Sequence, residues 1–274
     1  MARQATPSSA AAPRKGPCAS FSIRIPPELL RVIIENLADD YPTLAAAAAA
    51  SRLFNEEGRR LLYHVIDQGL GNRYRGPPVK CILDNPFLAQ YIQVYSIKTY
   101  VWEKQQIDFW APLAPGPCLQ AMTSLKELRL EVHHSNIPDD LLSGELPFQL
   151  EILELQSKYW PGISDLLSRQ MHLRELTVQV DEETIDPIPL PACARLEYLN
   201  ANRAIIDALV PNRKMQTLVW IGNIYDLPSP ITAFCTKLRG IKAFSFYEDV
   251  DLPQYRIWIF YHISEAYSIW SYPT

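Results

Sequence analysis

The stretch Leu125-Lys126-Glu127-Leu128-Arg129-Leu130 places leucine at its first, fourth and sixth positions. The same spacing returns at Leu150/Leu153/Leu155 and Leu173/Leu176/Val178. Weaker copies follow at Leu196/Leu199/Ala201, Met215/Leu218/Trp220 and Leu238/Ile241/Ala243, and an earlier one stands at Ile92/Tyr95/Ile97. From Leu125 onward the copies start 25, 23, 23, 19 and 23 residues apart. Alternation at the fourth, fifth and sixth positions reads as a short strand with its apolar side chains on one face. Each triple is therefore expected to be a parallel strand that points its leucines into a stack.

The prolines agree with this phasing. Pro138, Pro147, Pro161, Pro187, Pro189, Pro191, Pro211, Pro228 and Pro230 all lie between triples. A strand that needs its N–H groups for a ladder excludes proline. Ile163–Arg169 and Ile205–Leu209 are expected as short return helices. The set resembles leucine-rich repeats, whose period is about 20 to 29 residues. The asparagine or cysteine usual three residues after the last leucine occurs only at Asn223; His133, Lys158, Asp181 and Ala204 hold that place elsewhere. Without a regular asparagine ladder, the stack is expected to be irregular.

Ahead of the repeats, residues 25–63 read IPPELLRVIIENLADDYPTLAAAAAASRLFNEEGRRLLY. Pro26 and Pro27 suit a helix start, because a first-turn proline has its φ preset and its missing N–H costs nothing. Leu29, Leu30, Val32, Ile33, Ile34 and Leu37 then cover an arc of roughly 200° at about 100° per residue. A helix on one core needs a stripe of only about 100°, so this helix is expected to pack on two sides. A second helix, opened by Pro42 or Thr43, is expected over Leu44–Leu53, where six alanines, Ala45 to Ala50, allow a neighbour to approach closely. Asn55 is expected to cap a third.

Ile25-Pro-Pro-Glu-Leu-Leu, the Ile33-Ile34 pair, Leu37, Leu44, Ser51-Arg52 and Leu62-Tyr63 resemble an F-box, in particular that of fungal F-box/leucine-rich-repeat proteins. Ile25 stands where a leucine is usual, and the usual Val-Cys pair and tryptophan are absent, with Ala49, Ala50 and Phe54 nearby. The resemblance implies docking on the Skp-family adaptor of an SCF-type cullin–RING ubiquitin ligase. Carried over by position, Ile25, Pro26, Leu29, Ile33, Leu37 and Leu44 would face that adaptor. A unit of about 40 residues is marginal alone, which fits a need for a partner.

The expected fold is therefore α/β: a three-helix F-box at 21–66, then an irregular leucine-rich-repeat solenoid with a parallel sheet at 67–253. Residues 1–20 are rich in Ala, Ser and Pro and read as a disordered tail. Pro7, Pro13 and Pro17 break any amphipathic presequence there. Residues 254–274 carry Trp258, Phe260, Tyr261, Tyr267, Trp270 and Tyr272. They read either as an aromatic cap folded back on the last repeat or as a truncated end.

In such stacks the residues flanking the middle leucine line the working face. From N- to C-terminal copies these run from Glu127, Arg129 and Glu131 through Glu154, Gln156, Thr177 and Gln179 to Tyr198, Asn200, Asn202, Val219 and Ile221. A protein substrate is expected on Glu154, Gln156, Thr177, Gln179, Tyr198, Asn200 and Val219.

Composition narrows the alternatives. With 48% hydrophobic and 20% charged residues the chain is of ordinary globular type. A net charge of −4 gives no general affinity for nucleic acid. No run of 18 apolar residues predicts a membrane span. The five cysteines (Cys18, Cys81, Cys118, Cys193, Cys235) are scattered, which favours reduced thiols and an intracellular setting, cytoplasm or nucleus. No phosphate-cradling loop or nucleophile elbow is visible. His133-His134 would point to opposite faces of a strand and reads as a surface pair. No metal, cofactor or enzymatic activity is expected. The leading expectation is a substrate receptor, and the alternative is a protein-interaction scaffold without ubiquitin transfer.

Overall fold

The computed structural model describes residues 25–68, 79–99, 119–132, 141–142, 145–157, 160, 162–179, 188–189, 191–210, 213–222, 241–247 and 258–261. The expected N-terminal tail, the His133-His134 pair and most of 254–274 lie outside them.

Three helices come first: α1 (Pro27–Glu35), α2 (Tyr41–Ala50) and α3 (Arg52–Leu62). Helix α1 starts on its proline as expected. Helix α2 begins at Tyr41, just ahead of the expected opening at Pro42 or Thr43, because Asp40 caps it: its carboxylate accepts from the Thr43 backbone N–H at 3.2 Å and from Thr43 Oγ1 at 2.6 Å. Ser51, not Asn55, caps α3, accepting from the Phe54 N–H at 3.1 Å. Asn55 instead donates to the Ala48 carbonyl at 3.0 Å, tying α3 to α2. The alanine run permits a close helix pair. A Cβ on Gly58 would stand 2.8 Å from that of Ala48, inside normal contact distance. Ile34, Leu44, Ala48 and Leu62 form the small core between the helices.

The other described residues form a mixed α/β unit built on a sheet of nine described strands whose spatial order is their sequence order. The strands are β1 (Val65–Gln68), β2 (Val94–Thr99), β3 (Glu127–Val132), β4 (Ile152–Ser157), β5 (Glu175–Gln179), β6 (Tyr198–Ala201), β7 (Thr217–Ile221), β8 (Ala243–Tyr247) and β9 (Trp258–Tyr261). The first eight are parallel, and β9 runs antiparallel to β8. Trp258–Tyr261 thus pair back along the last parallel strand. Helices α4 (Val79–Asp84), α5 (Ile163–Arg169) and α6 (Arg203–Leu209) lie between strands, with a 3-10 turn at Pro86–Tyr91. The two return helices stand where the sequence places them.

Register explains the repeat. Tyr95, Leu128, Leu153, Leu176, Leu199 and Leu218 are successive cross-strand partners. All six are buried at 3% exposure or less. One carbonyl at each step (His64, Gln93, Lys126, Glu151, Arg174, Glu197, Gln216) accepts two N–H groups from the start of the next strand, so the ladder holds its phase despite unequal spacings.

Two expectations need correction. The last copy is Ile241/Phe244/Phe246, because Leu218 pairs with Phe244 and Trp220 with Phe246. Leucine-like residues at 238, 241 and 244 offer two overlapping matches three residues apart. Packing Phe244 against the core wins over packing Ala243, which is left exposed. The boundary at 66 also fails as drawn, since it cuts β1. Ile66 pairs with Tyr95 and is fully buried in the sheet's core, so the sheet begins directly after α3.

Glutamines and an arginine stand in for the absent asparagine ladder. Buried Gln170 accepts the Leu150 N–H at 2.8 Å, and Gln149 bridges the Arg169 carbonyl and the Met171 N–H at 3.1 and 2.9 Å. Arg213 donates to the carbonyls of Leu209, Pro189 and Ala192 at 2.6, 2.9 and 3.1 Å. This clasp holds the turn that carries Cys193, a non-glycine residue at φ 52°.

Candidate functional site: two interaction faces

The first face is on α1. Leu30 and Ile34 turn inward, at 2% and 0% exposure, while Leu29, Val32 and Ile33 remain 57%, 54% and 43% exposed. Positions i, i+3 and i+4 share one helix face, so these three form an outward apolar strip. Helix α1 is held from behind by Glu35, which accepts from Arg31 at 2.9 Å and from Arg60 of α3 at 3.0 Å. The Arg31 hydrogen bond keeps the Glu35 carboxyl below the usual range.

Of the residues expected to meet an adaptor, Leu29 and Ile33 lie on this strip and Pro26 is exposed, while Ile25 and Leu37 are half-buried. Leu44 is a correction. At 1% exposure it is enclosed by its own helices, because it is the large anchor that fills the space beside the small alanines. It supports the face from within and touches nothing outside. Val32 joins the strip; its place in the 200° arc was the signal. Tyr41 and Leu53 are also exposed, at 40% and 51%.

The second face is the side of the sheet opposite the leucines. Its middle row runs Asp67, Ser96, Arg129, Glu154, Thr177, Asn200 and Val219 across β1–β7. Above it lie Lys98, Glu131, Gln156 and Gln179; below it lie Glu127, Ile152, Glu175, Tyr198 and Thr217. The passage from charged to amide to apolar groups along the middle row thus follows from the register. Gln156, Thr177, Gln179, Tyr198 and Asn200 are half-buried and Val219 is buried at 8% exposure. Asn202 leaves this face. It caps α6, accepting the Ile205 N–H at 3.3 Å.

Charge concentrates over β2–β5. Lys98 pairs with the nearly buried Glu131, and Arg129 pairs with Glu127 and reaches Glu154 at 3.7 Å. Burial raises the Glu154 carboxyl pKa; the Glu131 charge adds to the rise and Lys98 opposes it. Burial also raises the Tyr198 hydroxyl, with Glu175 and Glu154 contributing. Asp67 Oδ1, Ser96 Oγ, Arg129 Nε and Asn200 Oδ1 are buried without a hydrogen-bond partner. Asp67, Ser96 and Lys98 escaped the sequence reading of the face, since β1 has no leucine triple and β2 has only a weak one.

Among the described residues there is no group of three metal-ligating side chains and no helix long and apolar enough to cross a membrane. No family model matches the chain, and no curated protein or solved structure matches it.

Proposed function

We propose that this chain is a substrate receptor of an SCF-type cullin–RING ubiquitin ligase. In this reading the three-helix unit is an F-box that docks on a Skp-family adaptor. The strand stack is an irregular leucine-rich-repeat domain that holds a protein substrate on its polar face. The observation that carries the reading is the two-sided character of α1. Leu30 and Ile34 are buried, Ile34 in the unit's own core, whereas Leu29, Val32 and Ile33 stay in water at a cost that docking would remove. The chain breaks no bond. It raises the effective concentration of substrate beside a ligase carried by other subunits.

The test is capture of a purified Skp-family adaptor and its cullin by the full chain. Capture by the wild type, lost on Leu29→Asp with Ile33→Asp, is expected. A wild-type chain that captures no adaptor refutes the reading and leaves a non-ligase interaction scaffold.

A further inference from the structure

Among the described residues, the polar face of the sheet carries more carboxylates than cations over β1–β5. Glu127, Glu131, Glu154 and Glu175 share β3–β5 with a single cation of their own strands, Arg129. Lys98 on β2 pairs with Glu131, and Arg129 is divided between Glu127 and Glu154. Glu175 is exposed, and Asp67 adds a further carboxylate on β1. A second, independent observation lies in the same row. Ser96 is 96% buried, its Oγ has no partner, and it stands between Asp67 and Arg129. The Asp67 Oδ1 beside it is equally unmatched. Buried polar atoms without partners are rare and costly in native proteins. Two of the three unmatched oxygens, Ser96 Oγ and Asp67 Oδ1, sit at the charged end of the face, where a donor-bearing ligand would satisfy them.

We propose that the β1–β5 end of this face binds an extended, arginine- or lysine-bearing peptide segment of the partner, with Glu154 and Glu175 as its principal charge contacts. The inference rests on the receptor reading and names the class of its substrate. Tyr198, beside Glu175, offers a ring against which a guanidinium packs. A cation docked there would also relieve the repulsion between Glu154 and Glu131. Asp67 and Glu154 are three strands apart, roughly 14 Å at about 4.8 Å per strand, so an extended segment crossing the strands meets both with cations about four residues apart.

The test is selection of a displayed random dodecapeptide library on the full chain, with adaptor capture measured in parallel. Lysine and arginine should be enriched at least fivefold over aspartate and glutamate in the selected peptides. Glu154→Gln with Glu175→Gln should abolish that preference. Glu56→Gln with Glu145→Gln, the same charge change elsewhere, should retain it. Selection of neutral or acidic peptides, no enrichment at all, or a preference that survives Glu154→Gln/Glu175→Gln overturns the proposal. Far-ultraviolet circular dichroism and thermal unfolding matching the wild type show that the variants are folded. If basic peptides are selected but no adaptor is captured by the wild type, the peptide site stands and the receptor reading falls.

Discussion

Exchanging the small residues between α2 and α3 probes how tightly the helical unit is built. Gly58→Ala places a methyl 2.8 Å from the Ala48 Cβ, about 1 Å inside the usual separation of 3.5–4.0 Å. Overpacking of this size costs about 1–3 kcal/mol, and alanine's helix propensity returns about 1 kcal/mol, leaving a net loss of about 0–2 kcal/mol. Ala48→Gly alone loses about 1 kcal/mol of propensity. In the double variant the new methyl faces the residue-48 Cα at 3.5 Å, an ordinary contact, and the propensity changes cancel. The swap should therefore lie close to wild type. The coupling energy should be about 1–3 kcal/mol, above the few tenths expected of independent sites. Urea denaturation of the four chains, followed by far-ultraviolet circular dichroism, measures it. If Gly58→Ala stabilises by the full propensity gain and the cycle shows no coupling, the close α2–α3 approach is refuted.

Two other outcomes follow from the sheet. Arg213→Ala removes the donors that four backbone carbonyls share, and should destabilise by about 2–4 kcal/mol in chemical unfolding, with Arg213→Lys restoring less than half because lysine lacks the planar fork. Burial pushes the Cys193 thiol up to about 11. Its folded form thus keeps the proton longer than the unfolded chain, and stability falls as pH rises from the ordinary thiol value towards 11. At pH 8, iodoacetamide followed by peptide mass spectrometry should modify exposed Cys81 in the native chain and spare Cys193 until urea is added.

The parallel strands were legible because their signal is local. Leucine at three fixed offsets, with prolines kept outside, identifies a strand and its inner face at once. Where the signal weakened, reading failed for identifiable reasons. Strand β1 has only Ile66 pointing inward at the second position, with Gln68 in the third, so no leucine triple marks it as a strand. At β8, Ile241 serves two overlapping patterns, and only the ladder from Gln216 chooses between them. The helix caps were missed because Ser51 and Asn55 are equally good in principle, and only three-dimensional contact with Ala48 assigns Asn55 elsewhere. On α1, the excess apolar arc announced two faces. It did not say that Leu44 would be spent on the inner one, since that depends on how closely α2 meets α3. The unmatched oxygens on the polar face have no sequence signature, because they arise from neighbours brought together across strands.

The most direct measurement is calorimetric titration of a Skp-family adaptor into the full chain. Full burial of a leucine or isoleucine is worth about 1.5–3 kcal/mol. With 57% of Leu29 and 43% of Ile33 still exposed, docking gains about 1.5–3 kcal/mol from the pair together. Leu29→Ala with Ile33→Ala should therefore weaken a measurable wild-type Kd by about 10- to 150-fold while leaving thermal stability nearly unchanged. Equal affinity in the two chains, or no heat of binding from the wild type, contradicts the assignment of α1 as the recruiting surface.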